Sequence, residues 1–257
     1  MLIDTHAHLY LDNFNNDIDK VIHRALRNGI KKIILPNIDE KSVSNLLRLQ
    51  SKYPEILYPA LGLHPNSVTK DYKEQIRLIF DNFDDNIISI GEIGIDLYWD
   101  KTLIKEQIEA FRIQLDISVE KHKPIIIHSR KSMNEIFNVL EDYKSTNVKG
   151  VFHCYSGSYE QAIRVIENGF YLGIGGVLTF RNTSLVEVIK KIPVDNIILE
   201  TDSPFLSPDP YRGKRNEPSY IIHVAKKLAE IKNVDIETIF EETTKNVKKC
   251  FNFDSDI

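Results

Sequence analysis

Apolar residues along this chain fall into two alternating rhythms. Short continuous runs of Ile, Leu and Val read as strands buried on both faces, as in a parallel sheet. Longer stretches between them repeat their apolar positions at helical spacing. The first rhythm places strands at Leu2 to about His6, Lys32–Leu35, Leu57–Leu61, Asn86–Glu92, the stretch opening at Ile125, Gly150–His153, Tyr171–Ile174 and Asn196–Asp202. The second places helices at about Asp17–Asn28, Lys41–Lys52, Asp71–Asn82, Thr102–Lys121, Met133–Tyr143, Ser158–Gly169 and Ser184–Lys190. Two more, about Glu217–Lys232 and Ile236–Cys250, end the chain, and the polar residues after them are expected to fray. The punctuation agrees. Pro54 and Pro124 stop helices, Ser158 caps one, and Asn216 reads as an N-cap with Pro218 in the first turn.

Strict alternation of strand and helix over eight units predicts a parallel sheet with helical crossovers. No composition shift or linker divides the chain. An open doubly wound sheet is the alternative; the number and spacing of units favour a single-domain (β/α)8 TIM barrel over residues 1–257. That architecture puts an active site at the C-terminal ends of the strands.

Composition narrows the class. With 42% apolar residues in 257, the chain can bury a large core. A net charge of −4 gives no global basic footprint, so a nucleic-acid partner would have to be met by a local site or by metal ions. Cys154 and Cys250 form no CxxC pair and no disulfide framework. Met1 leads directly into the first strand and no apolar run approaches the roughly 20 residues of a membrane span. A cytoplasmic protein with no membrane partner, monomeric or weakly oligomeric, is the expectation.

Ligand-type residues collect at the predicted strand ends. The first strand runs into Asp4-Thr5-His6-Ala7-His8, where alternate side chains of an extended segment share a face. The fourth ends at Glu92, flanked by Gly91 and Gly94; the fifth at His128; the sixth at His153; the eighth at Asp202. Any one of these is ordinarily a hydrogen-bonded core histidine or a solvated loop carboxylate. Recurrence at one end of the barrel points instead to a metal centre. One divalent cation is assigned to His6, His8, Glu92 and Asp202, and a second to Glu92, His128 and His153, with Glu92 bridging and Asp202 also able to take a proton from water. Mixed imidazole and carboxylate donors suit zinc, manganese, iron or nickel better than magnesium. Two such cations about 3.5–4 Å apart serve hydrolysis of phosphoryl or acyl centres.

Other residues take lesser roles. His64 ends the third strand and is read as orienting substrate. Arg130, two past His128, and Arg212, Lys214 and Arg215, in the loop after the eighth strand, are either solvated surface or contacts to an anionic substrate; position beside Asp202 favours the latter, with Arg130, Arg212 and Arg215 as phosphate ligands. Asp96 and Glu200 can support the metal ligands from behind, with a place in the barrel core the equal alternative for Glu200, two before Asp202. Cys154 is read as structural. Tyr98 and Trp99 either stack a base or cover the rim.

These residues carry a family likeness. The chain resembles the TatD-type metal-dependent deoxyribonucleases in Leu2-Ile3-Asp4-Thr5-His6-Ala7-His8-Leu9, Gly62-Leu63-His64-Pro65, Gly91-Glu92-Ile93-Gly94-Ile95-Asp96, Pro124 to Arg130, His153-Cys154-Tyr155-Ser156-Gly157, Glu200-Thr201-Asp202-Ser203-Pro204 and Arg212 to Pro218. The resemblance implies a divalent-metal site on His6, His8, Glu92, His128, His153 and Asp202. It also implies exonuclease-type hydrolysis of DNA with magnesium dependence. Tyr10, Ser132 and Asn134 depart from the family pattern without touching a ligand position. The leading expectation is therefore a two-metal phosphodiesterase acting on DNA, with RNA also open. The alternative is a metal-dependent acyl hydrolase, such as a D-aminoacyl-tRNA deacylase. A barrel without catalysis would have lost these ligands, and all six are present.

Overall fold

The computed structural model describes residues 1–253. The end expected to fray, 254–257, lies outside the described residues. Strands β1 Leu2–Asp4, β2 Ile30–Pro36, β3 Leu57–Leu61, β4 Ser89–Asp96, β5 Ile125–Arg130, β6 Gly150–Phe152, β7 Phe170–Ile174 and β8 Ile197–Leu199 stand side by side in sequence order, every neighbouring pair parallel. Helices α1 Ile18–Arg27, α2 Val43–Lys52, α3 Tyr72–Phe80, α4 Ile104–Lys121, α5 Met133–Glu141, α6 Tyr159–Glu167 and α7 Leu185–Lys191 are the crossovers, and α8 Ile221–Lys232 and α9 Ile236–Phe251 follow the last strand. Beyond the last strand the chain meets the first: the Thr5 N–H donates to the Leu199 carbonyl (3.2 Å), the Asp202 N–H to the His6 carbonyl (2.8 Å), and Ala7 bridges Ser203. This is the expected (β/α)8 barrel.

Two-residue periodicity divides the strand side chains between two layers. Leu2, Ile33, Leu35, Ile125, Ile127 and Ile197 face the helices in the larger cluster. Ile3, Ile34, Ala60, Ile126, Val151 and Ile198 form a second cluster with Val247, Cys250 and Phe251 of α9. Helix α9 packs against β1, β6 and β8 and so seals the end of the barrel opposite the strand C-termini. At α6 the expected cap is a full capping box. Ser158 Oγ accepts from the Gln161 N–H (3.3 Å) and Gln161 Oε1 accepts from the Ser158 N–H (3.0 Å).

Four boundaries near the strand ends differ from expectation, each for a local reason. Strands β1 and β8 stop short, at Asp4 and Leu199, because the chain beyond them leaves the ladder for side-chain bonds. The buried Asp4 carboxylate accepts from the Thr201 N–H (2.9 Å), the Thr201 hydroxyl (2.6 Å) and the His6 N–H (3.2 Å). Strand β4 instead runs past Glu92, since Gly94, Ile95 and Asp96 keep pairing with His128, Ser129 and Arg130. Gly94 has φ of +141° and passes so near the His128 carbonyl that a Cβ would stand 2.1 Å from its oxygen, so only glycine serves. Asn216, finally, does not cap α8. Its carboxamide donates to the Thr201 (2.8 Å) and Phe205 (2.6 Å) carbonyls and clamps the loop after β8, while a 3-10 turn over Pro218–Tyr220 precedes the helix.

Candidate metal centre

At the open end of the barrel the strand-end ligands converge. His6 and His8 follow β1 with both rings buried. His8 Nδ1 lies 3.0 Å from the Tyr10 hydroxyl and 3.2 Å from the Pro36 carbonyl, which turns Nε2 inward. The two Nε2 atoms stand 3.1 Å apart. Glu92 Oε2 is 3.1 Å from His6 Nε2 and 3.7 Å from His8 Nε2; Asp202 Oδ1 is 3.8 Å and 3.6 Å from the same two atoms.

The other Glu92 oxygen faces a different set. Oε1 is 2.8 Å from His128 Nδ1, 2.8 Å from His153 Nε2 and 3.4 Å from His64 Nε2. His64 Nε2 is itself 3.2 Å from His128 Nδ1. One carboxylate therefore presents its two oxygens to two imidazole groups, His6 with His8 and His64 with His128 and His153. His64, read from sequence as a substrate residue, lies nearer to Glu92 than His8 does, though farther than His6, His128 and His153, and belongs to one of the groups of potential ligand atoms within 4.8 Å of one another. A third such group, His6, His153 and Asp202, joins the two, with the His6 and His153 rings stacked at 3.9 Å.

These donors fit a divalent cation. At most one proton can lie between His6 Nε2 and His8 Nε2, whereas ligands each about 2.1 Å from one ion stand roughly 3–3.5 Å from one another. The carboxylates are ionised in advance. Burial pushes Glu92 up, yet the imidazoles of His153, His64 and His6 hold it well below the usual carboxylate range. Asp202 is also held low, its burial outweighed by His8, His153 and His6. Asp96 comes down to about 2, its burial outweighed chiefly by the His128 bond. Burial lowers His6 and His64. It works against His128 and His153 too, but Asp96 and Glu92 raise the former, and Glu92 and Glu200 raise the latter well above the ordinary imidazole value.

Behind the ligands lies a layer that sequence reasoning saw only in outline. Asp96 Oδ2 accepts from His128 Nε2 (2.9 Å) and Asn66 Nδ2 (3.3 Å), and its Oδ1 accepts from the Tyr98 and Trp99 N–H groups. This contact required β4 to extend past Glu92. Glu200 sits fully buried beneath His153, its Oε1 accepting from the Cys154 N–H (2.6 Å). Asp4 was missed altogether. It buckles the seam below His6, and burial pushes its carboxyl up to about 8. Its place two residues before His6 is the sequence signal that pointed to it.

Above the cluster opens a cavity of about 510 Å³, walled by His8, His64, Glu92, Asp96, His128, His153 and Asp202 below and by Trp99, Arg130, Phe205 and Leu206 at the rim. Arg130 is held over the Tyr98 ring at 3.9 Å. Arg212 and Arg215 are not brought here. Arg215 makes a bidentate pair with Asp17 (2.7 and 2.8 Å), donates to the Asn13 carbonyl and lies over the Phe14 ring. Arg212 stacks on Phe180 at 3.6 Å. These guanidiniums tie the loop after β8 to its neighbours, because Asp17 and Phe180 offer them partners away from the cavity. Phe205 drew no notice in the sequence, although it follows Asp202-Ser203-Pro204 directly.

Comparison with known proteins is consistent along the whole chain. The family model described as TatD related DNase matches residues 3–252. The uncharacterized metal-dependent hydrolase YabD of Bacillus subtilis (strain 168) is 38% identical over 253 residues, 98% of this chain and 99% of that protein. The crystal structure of YjjV, a TatD homolog from Escherichia coli K12, superposes with a TM-score of 0.90 at 30% identity, covering 98% of each chain. A hydrolase of the TatD family from Entamoeba histolytica, at 24% identity over 97% of each chain and a TM-score of 0.85, shares the fold. Among the described residues no helix is long and apolar enough to cross a membrane.

Proposed function

The chain belongs to the TatD related DNase family, and from that premise we propose that this metal-dependent hydrolase is a two-metal phosphodiesterase that shortens DNA from an end. The observation that carries the proposal is Glu92, whose Oε2 turns to His6 and His8 while its Oε1 turns to His128, His153 and His64. His6, His8, Glu92 and Asp202 would hold one divalent cation, and Glu92, His128 and His153 the other, with His64 at hand beside it. Bound there, magnesium, manganese or zinc would supply an activated water and charge neutralisation at phosphorus.

The rest is done by the chain's own groups. Asp202, ionised and half-buried beside His6 and His8, takes the proton released as water attacks. Arg130 is the cation of the rim, and its planar fork matches two phosphate oxygens. Asp96 holds the His128 ring in place through Nε2. The strand-end walls leave substrate one approach, from the cavity above. Mixed imidazole and carboxylate donors favour manganese or zinc over magnesium as the tighter binder. The reaction would run in the cytoplasm on DNA, with RNA as a second substrate.

The test uses metal-stripped protein and a single-stranded oligonucleotide labelled separately at each end. Stepwise shortening from one end on adding magnesium, manganese or zinc, absent in Glu92→Gln, is the expected result. No shortening with any of the three, from protein that binds two cations, would overturn the proposal. Release of the amino acid from D-aminoacyl-tRNA by that same protein would place a carbonyl in the position assigned to phosphorus.

A further inference from the structure

Among the described residues, four of the seven large apolar side chains that are exposed stand at the barrel mouth. Trp99 is 68% exposed, Phe205 50%, Tyr98 44% and Leu206 37%. They come from two loops only, the one after β4 and the one after β8, which an eight-stranded barrel places on opposite sides of its axis. Trp99 and Phe205 both line the cavity whose floor is Glu92 and Asp202. An exposed apolar patch rimmed by polar groups marks a ligand surface.

Both aromatics are held in place. The Trp99 and Tyr98 N–H groups bind Asp96 Oδ1, and the other oxygen of that carboxylate holds His128, so the β4 rim and the metal centre are tied by one side chain. The Phe205 N–H binds the Asp202 carbonyl (2.8 Å), its own carbonyl accepts from Asn216, and its ring meets the His8 ring edge-on at 6.1 Å. Arg130 lies between the aromatic and polar parts, 3.9 Å from the Tyr98 ring centre and 5.4 Å from that of Trp99. A π-face beside a guanidinium, above carboxylates and imidazoles, matches the three parts of a nucleotide: base, phosphate and scissile ester.

Resting on the phosphodiesterase reading, we propose that Trp99 and Phe205 are the specificity-determining pair that holds the nucleobase next to the scissile bond, Trp99 from the β4 side and Phe205 from the β8 side. A base inside a duplex already has both faces stacked on neighbours, so only an unstacked base enters. The pair selects by stacking rather than by hydrogen-bond pattern and tolerates any of the four bases.

Trp99 is the single tryptophan of the chain, so its emission reports on this one place independently of catalysis. Magnesium-loaded protein titrated with a phosphorothioate thymidine tetranucleotide, which resists hydrolysis, should show saturable quenching. The same tetranucleotide with abasic sites should not quench, and Phe205→Ala should raise the half-saturation point on the order of 10-fold. In turnover, Trp99→Ala should raise KM by a similar factor on the normal oligonucleotide, Trp99→Phe should recover most of it, and the penalty should shrink several-fold on the abasic one. Cleavage with unchanged emission and unchanged KM would overturn the pair and leave the phosphodiesterase reading intact. Saturable quenching without cleavage under any metal would support the pair and overturn that reading.

Discussion

The two ends of the barrel are made by the same eight strands and could hardly differ more. At the N-terminal end Ile3, Ile34, Ile126 and Ile198 pack against Val247 and Phe251 of α9, and Asn246 ties that helix down by donating to the Val194 and Ile197 carbonyls (both 2.8 Å). At the C-terminal end the same layers pass to His6, Glu92, His128, His153 and Asp202, while aromatic rings stand in solvent. One end buries apolar surface, and among the described residues it leaves no buried side-chain nitrogen or oxygen without a partner. The other buries ionisable groups at the cost of desolvating them and exposes rings that would be more stable inside. Stability is concentrated below and chemistry above, as strained and polar sites in enzymes generally are set on a well-packed frame.

Single substitutions at each end should separate the two. Glu92→Gln should lower activity on the order of 10³-fold by removing the charge shared between the two imidazole groups. Because glutamine keeps the shape and can still accept and donate, the melting temperature of the metal-free protein should move little. Phe251→Ala is the converse. Phe251 is 3% exposed at the sealed end, and its truncation should cost about 3–4 kcal/mol, with melting lowered by roughly 10 °C. Activity per folded molecule should be unchanged. A Phe251→Ala protein with altered kcat, or a Glu92→Gln protein melting far below the parent, would dissolve the division between the ends.

A smaller effect sharpens it. Asp96→Asn should reduce metal affinity and kcat together by about 10–100-fold, since Asp96 acts through His128, whose ring it orients. The imidazole titration of His128, now held up chiefly by Asp96 against burial, should fall in the variant. A plain packing defect would lower stability without moving that titration.

How much of this was legible beforehand follows from how local each cause is. The barrel and its ligand ends were legible because a strand written as three β-branched residues and then His128 carries its fold and its chemistry in the same six letters. Asp96 was visible only as a reserve, because its role needs β4 to run on past Glu92, and that depends on Gly94 fitting against the His128 carbonyl of another strand. His64 was sent to the mouth, but its 3.4 Å approach to Glu92 depends on how the turn after β3 seats against β4. The direction of Arg215 was illegible for the plainest reason. Its partner, Asp17, is 198 residues away in the chain.

That last pair supplies the smallest effect and the most direct check on which cations face substrate. Arg215 and Arg24 flank Asp17, and Arg24 also grips Glu217. Arg215→Met should therefore leave KM for DNA unchanged and lower stability by at most about 1 kcal/mol, the scale of a partly exposed ion pair. The sign with pH follows from Asp17, whose carboxyl is held below 3.8 mainly by its bond from Arg215. A depressed carboxyl stabilises the fold above its unfolded value and ceases to do so as pH falls through the folded one. The stability gap between parent and Arg215→Met should thus be constant from pH 7 to about 5 and close below about 4. Thermal melts across that range, paired with KM for the oligonucleotide at neutral pH, decide the matter. A raised KM with no gap in stability would turn Arg215 back toward substrate and make the loop after β8 part of the mouth.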